Sequence, residues 1–177
     1  AKIASPDIAH KTEVGGVRLN LADAAALRDA FAGILEDARH HAPQARIEGV
    51  SIQPQVADGV ELLLGATRDP VFGWMITLGL GGVWTELMGD VQHALAPISA
   101  AEAEAMLRRL KGFALLDGYR GRPRADVAAA AEAAAALSRA VLALDDAATE
   151  VEVNPLLVRA AGQGALAADA LVVLRGA

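Results

Sequence analysis

Cysteine is absent from the 177-residue chain, so no disulfide framework and no thiolate metal site can form, and a cytoplasmic setting is the default expectation. Aromatic residues are scarce at 3%, although 54% of the chain is hydrophobic; the apolar content is mostly alanine, valine and leucine. The longest apolar runs are broken by Gly, Asp or Arg, so no membrane span is expected. Nor does the N-terminus carry the long apolar run of a signal peptide, because Lys2 is soon followed by a turn. Basic charge is also short: 16 Lys and Arg against 22 Asp and Glu leave a net charge of −6, without the stripe of cations that a nucleic-acid backbone requires. Nucleic acid is thereby excluded as a general partner, while a few local cations suffice for a small anion. What remains has the length of one ordinary domain with room for a core.

The hydrophobic period changes several times along the chain, as a mixed α/β domain requires. Leu27, Phe31, Ile34, Leu35 and Ala38 recur at helical spacing between Asp23 and about His41, and Pro43 closes that segment. Residues 46–56 and 60–67 favour strands, with the turn signal "ADGV" between them; 72–80 follows the "RDP" turn and runs into "GLGG". "VQHALAPI" has the form of a short strand that stops at Pro97. Ser99 with Glu102 three residues on forms a capping box and predicts a helix over about 100–111. An alanine-rich helix is expected over 126–144, then two strands, 150–158 and 165–174, joined by "AAGQG". Together these predict an α+β fold, a mainly antiparallel sheet with helices on one face. The opening "AKIASP" has the form of a strand already under way, which predicts a chain that starts inside a larger fold.

Three motifs carry chemistry, each beside a plainer reading. "SPDIAHKTEVGG", residues 5–16, combines a proline turn, a His-Lys pair and two glycines; it is either a surface turn or a loop that carries a phosphoryl group on His10. "GLGGVWTE", residues 79–86, is either a tight turn or a place where backbone N–H groups of Gly81 and Gly82 approach a phosphate, and it matches no complete phosphate-loop fingerprint. "EVNP", residues 152–155, puts the Glu152 carboxylate and the Asn154 amide on one strand face. Asp169 lies in the next strand, where antiparallel pairing would bring it opposite. Such a set offers either the oxygen ligands that Mg²⁺ prefers or a buried polar cluster.

In order along the chain, "KIASPDIAHKTEVGGVRLNL", "EGVSIQPQVADGVELLLGATRDPVFGWMITLGLGGVWTELMGDVQHALAP", "LLDGYRG", "EVNPLLV" and "AADALVV" closely resemble the ATP-grasp domain of the NDP-forming (ADP-forming) acyl-CoA synthetases, the succinyl-CoA synthetase beta-like superfamily. The resemblance covers essentially the whole chain. It implies an ATP-grasp fold that clamps a nucleotide between two subdomains, with this chain as the C-terminal subdomain (21–177) preceded by a strand end and a mobile histidine loop (1–20). It further implies that Lys2 contacts nucleotide phosphates, that His10 passes a phosphoryl group to and from ATP/ADP, and that Glu61 lies near the adenosine. Mg²⁺ would be held by Asn154 and Asp169 with Glu152 beside them, and Glu86 would support the site. Trp74 departs from the family's proline after "FG", Thr12-Glu13 from its Ser-Asp, and Ala168 from its valine; none is an implied ligand.

The activity so implied is that of an acid-CoA ligase working by a phosphohistidine relay. CoA-binding and succinyl-CoA-ligase-like domains or a subunit would be its partners, an oligomer is compatible, and neither nucleic acid nor membrane is implied. The isolated chain is expected to be inactive. Two other readings are a nucleotide- or acyl-CoA-sensing module in a fusion such as a protein acetyltransferase, and a structural assembly domain. Retention of His10, Asn154 and Asp169 favours the enzyme. The metal assignment predicts side-chain oxygens of Asn154 and Asp169 on the order of 4 to 6 Å apart, lining one cleft with Glu61.

Overall fold

The computed structural model describes residues 1–8, 10–56, 58–82 and 89–176. Its contacts divide the chain into two compact units, Ala1–Val56 and Ala57–Ala177. The first unit holds both the histidine segment and the first helix. That helix, α1, Ala24–His41, packs on the strands β1, Lys2–Ala4, and β2, Gly49–Ser51, so it belongs with the histidine segment.

In the first unit β1 and β2 pair antiparallel, with Ile3 opposite Val50. Strand 46–56 was expected in the main sheet and is not part of it: Ile3, Ile8, Ile34 and Ala38 form a separate buried cluster, against which Val50 packs. Helix α1 begins where Asp23 accepts hydrogen bonds from the N–H groups of Ala25 and Ala26. Its buried stripe is Ala30, Ile34 and Ala38, and Phe31 stays exposed because it lies off that stripe.

The second unit is a sheet in the order β5-β4-β3-β6-β7, with β8 also on β6: β3 Val60–Asp69, β4 Gly73–Leu80, β5 Val91–Leu95, β6 Ala148–Val158, β7 Ala165–Ala167 and β8 Ala170–Leu174. Among the described residues all of its strand pairings are antiparallel. Leu62, Leu64, Ala66, Ile76, Leu78, Val151 and Leu156 point to one face and are buried with residues of α2, Ala100–Arg108, and α3, Val127–Leu144. Period-two alternation therefore gives this sheet one helix-covered face and one that, among the described residues, is free of helices. The capping box at Ser99 and Glu102 forms as the sequence predicts.

The segment Val127–Ala147 contains an 18-residue window of mean hydropathy 1.6 and is, by length and composition only, long and apolar enough to cross a membrane, where no such stretch was expected. Alanine explains both facts. It counts as apolar, and at Ala130, Ala131 and Ala134 its small side chain is buried in the core with residues of the sheet and α2. Asp126 starts the same helix by accepting from Ala129 N–H at 3.1 Å, and its other oxygen accepts from Gly162 and Gly164 at 2.9 Å each, tying the helix start to the β6–β7 turn.

Those bonds, Gly164 first and then Ala129, hold the Asp126 carboxyl below its ordinary range. A depressed carboxyl adds stability that is complete above the unfolded value of about 3.9 and vanishes as pH falls through the folded value. Asp126→Asn is therefore expected to lower Tm at pH 7, with the difference from the parent shrinking below about pH 3.9. Thermal melts at pH 7 and in acid check this; a gap that widens in acid would contradict it.

Candidate functional site

Two of the metal-site candidates, Glu152 and Asn154, lie on the sheet face of the second unit that the described helices leave free. The register leaves Asn154-Pro155 opposite the single residue Leu63, since Leu62 pairs Leu156 while Leu64 pairs Val153. This is a β-bulge, and it switches the alternation of β6: Val151 faces the helices before it, Leu156 and Val158 after it. Glu152 and Asn154 consequently share the helix-free face, where the Asn154 amide donates to Glu152 Oε1 at 3.0 Å.

Opposite the bulge, the expected closing strand is interrupted. It forms β7 and β8 with Ala168-Asp169 between them. Val153 pairs Ala170 and Leu156 pairs Ala167, which sets Asn154 across from Asp169, and Asn154 N–H donates to the Asp169 carbonyl at 3.2 Å. Residues directly opposite in an antiparallel pair project on the same side with Cβ atoms about 5 Å apart. Glu152 and Asn154 thus share one face of β6 with Asp169 across from Asn154 on the neighbouring segment, where Asp169 Oδ1 accepts from Ala170 N–H at 3.1 Å. Among the described residues no group of three His, Cys, Asp or Glu side chains is placed to hold a metal. A set of two carboxylates and an amide still fits Mg²⁺, which binds through one or two carboxylates and completes its shell with phosphate and water.

Glu61 lies on the same face of β3, exposed, and meets the glycine pair that leaves β4. Gly81 N–H donates to the Glu61 carbonyl at 2.7 Å. A Cβ on Gly81 would stand 2.9 Å from the Glu61 backbone carbon, and one on Gly82, whose φ is +67°, would come to 3.1 Å from Glu61 Oε2. Only glycine lets these two segments approach so closely. Glu86, which the sequence also singled out, lies outside the described residues.

The first unit positions Lys2 and His10. Lys2 lies in β1, paired with Ser51 on one side and bridged to Val17 on the other. His10 is exposed, between Ile8, which is anchored in the core, and Gly16, whose carbonyl accepts from Ile3 N–H at 2.7 Å. Residues 10–16 close on themselves through Glu13 to His10, Gly15 to Thr12 and Gly16 to Lys11 backbone bonds. The glycine at 16 answers to packing, since a Cβ there would meet Ile3 Cγ2 at 2.5 Å and the Lys11 carbonyl at 2.8 Å.

The family model for the ATP-grasp domain matches residues 1–174. The chain belongs to the ATP-grasp family. This ATP-grasp domain is 37% identical over 175 residues to the acetate–CoA ligase [ADP-forming] II subunit beta of Pyrococcus furiosus, covering 99% of the chain and 74% of that relative. It is 43% identical over 162 residues to the acetate–CoA ligase [ADP-forming] I of Archaeoglobus fulgidus, covering 91% of the chain but only 23% of that longer protein. Among solved structures it resembles the dinucleotide-forming acetyl-coenzyme A synthetase 1 of Ca. Korarchaeum cryptofilum. A complex of that protein with coenzyme A, Ca-AMPCP and HgCl⁺ gives a TM-score of 0.88 at 36% identity, over 98% of this chain and 75% of that one. A second, with coenzyme A and Mg-AMPPCP, has its phosphohistidine segment pointing towards the nucleotide binding site; it gives a TM-score of 0.78 at 34% identity, over 99% and 75%.

Two features of the second unit were missed in the sequence. His93 and Thr77 are register partners whose Nδ1 and Oγ1 lie 2.9 Å apart, and with Thr67, Met75 and the Asp69-Pro70 turn they line a cavity of about 300 Å³. The polar residues at 67, 77 and 93 alternate with core residues, a period-two signal that was available. Asp90 is buried directly before β5 and holds the turn after α2. Its partners are backbone groups distant in the chain, so no local pattern announces it.

Proposed function

We propose that this ATP-grasp domain is the nucleotide-handling portion of an ADP-forming acyl-CoA synthetase, an acid-CoA ligase that interconverts acyl-CoA, phosphate and ADP with carboxylate, CoA and ATP. The observation that carries the reading is the cross-strand placement of Asn154 opposite Asp169 with Glu152 on the same face, which collects hard oxygen donors where a helix-free sheet face can meet a substrate. The likeness to acetate–CoA ligases, and to a synthetase structure holding Mg-AMPPCP, supports it.

In this reading Glu61 and the backbone of Gly81-Gly82 beside it receive the nucleotide, and Lys2 meets its phosphates. Glu152, Asn154 and Asp169 would hold Mg²⁺, whose charge offsets that of the phosphoryl oxygens. A neutral imidazole nitrogen of His10 attacks the terminal phosphorus: the N–P bond forms as the P–O bond to ADP breaks, and ATP synthesis is the reverse. CoA binding and the acyl step fall to succinyl-CoA-ligase-like domains or a subunit.

The test is reconstitution. The chain joined to those partner domains should form ATP from ADP, phosphate and a short-chain acyl-CoA, and no Mg²⁺-dependent ATP formation from any acyl-CoA would refute the assignment. The chain alone is expected to bind ADP weakly and turn over nothing, because nucleotide pockets bury most of their ligand and this domain supplies part of the wall. Calorimetry on the chain and on the complete protein compares the two; equal, tight binding would contradict that expectation.

A further inference from the structure

Among the described residues the buried polar side chains are Asp90 and Ser138. A carboxylate out of water is costly unless its oxygens are bonded, and both Asp90 oxygens are: Oδ1 accepts from Lys111 N–H at 2.9 Å and Oδ2 from Gly112 N–H at 2.8 Å. These two residues form the turn after α2, and Asp90 draws that turn against the end of β4. A Cβ on Gly112 would stand 2.1 Å from Leu80 Cδ1, so the turn backbone lies directly on the leucine that precedes Gly81. On the other side a Cβ on Gly79 would meet Val91 Cγ1 at 2.8 Å and the Asp90 carbonyl at 3.1 Å. Gly79 and Leu80 are thus held from both sides, by the backbone of Asp90 and by the turn its side chain grips. The next two residues are the pair packed on Glu61.

We propose that Asp90 is a positioning residue for the nucleotide site: its carboxylate locks the turn at Lys111-Gly112 against Leu80 and so sets where the backbone of Gly81-Gly82 lies beside Glu61. This rests on the reading of those residues as the nucleotide face. Asn is the informative replacement, because it keeps the shape but turns an NH₂ donor towards one of two N–H donors, which cannot pair. Small displacements of positioning groups carry large functional costs.

The experiment uses the complete synthetase, with Mg-ADP as the probe in calorimetry and steady-state kinetics. Asp90→Asn is expected to weaken Mg-ADP binding by roughly tenfold and to raise KM for ADP in parallel, with kcat changed by less than about threefold. Gly112→Ala, which presses on Leu80, should do the same. Ser138→Ala removes the other buried hydrogen-bonding side chain, which bonds Ile98, and should lower Tm while leaving Mg-ADP binding unchanged. Should Asp90→Asn fail to fold, Asp90→Ser, which keeps one acceptor, takes its place. Parental affinity in the Asp90 and Gly112 variants, or equal weakening by Ser138→Ala, overturns the proposal. Absence of Mg-ADP binding by the parent protein instead removes the nucleotide reading itself.

Discussion

Replacing His10 by alanine in the complete synthetase should abolish acyl-CoA-dependent ATP formation, by a factor on the order of 10⁴ or more, and leave Tm and nucleotide affinity almost unchanged. The size follows from the role: a group that forms the covalent intermediate has no partial substitute, and removing a nucleophile costs far more than removing a positioning contact. The selectivity follows from the structure. His10 is exposed, and the segment around it is held by Ile8 and by the backbone of Gly16, neither of which uses the imidazole. Exposed side chains away from such anchors contribute little to stability. His40 and His41, exposed at the end of α1 and in edge contact with each other, are the internal controls, and replacing either should leave turnover intact. Label from γ-labelled ATP, stable in base and labile in acid, should appear on the parent and disappear in the variant. Full activity of His10→Ala would return this segment to being a turn.

The second large effect is expected at the facing pair. Asp169→Ala and Asn154→Ala should each lower kcat by about 10²-fold or more, the usual scale for losing one fixed group at the developing charge of a transferring phosphoryl. The Mg²⁺ concentration for half-maximal activity should rise in both. The effects should be less than additive in the double variant, because the first loss already empties the shared ligand set. Folding should survive, since the link between the two positions is a backbone bond from Asn154 N–H to the Asp169 carbonyl, which either alanine keeps. Gly65, opposite Glu152 across β3, provides a contrast: a Cβ there meets only Thr77 Cβ at 3.9 Å, so Gly65→Ala should alter neither Mg²⁺ dependence nor fold. Unchanged Mg²⁺ dependence in Asp169→Ala would refute the metal assignment.

What could be read from the sequence were features governed by near neighbours. The starts of α1 and α2 were legible because a capping side chain bonds N–H groups two or three residues away. The alternation of β3 and β4 was legible because their inward residues meet the helices at every second position. The place of residues 46–56 was not, because they favour a strand without specifying a partner; their pairing with β1 depends on a separate core built by Ile3 and Ile34. Membership of α1 in the first unit was hidden for the same reason.

The same division runs through the site. By itself the sequence determined which chemical groups are available: an imidazole among turn residues, a glycine pair after a strand, and a carboxylate and an amide two residues apart on one β face. These follow from residue type and a period of two, which need no distant contact. Antiparallel pairing already led the sequence to expect Asp169 opposite this strand face. Only the tertiary structure decided the bulge and the strand break that set the register there, because register is set by how whole strands bury their apolar faces. It alone decided that Glu61 touches Gly81 and that Asp90 holds a turn 21 residues further on. Such contacts arise when packing brings together segments with no local preference for each other, so their energetic reason exists only in the folded chain.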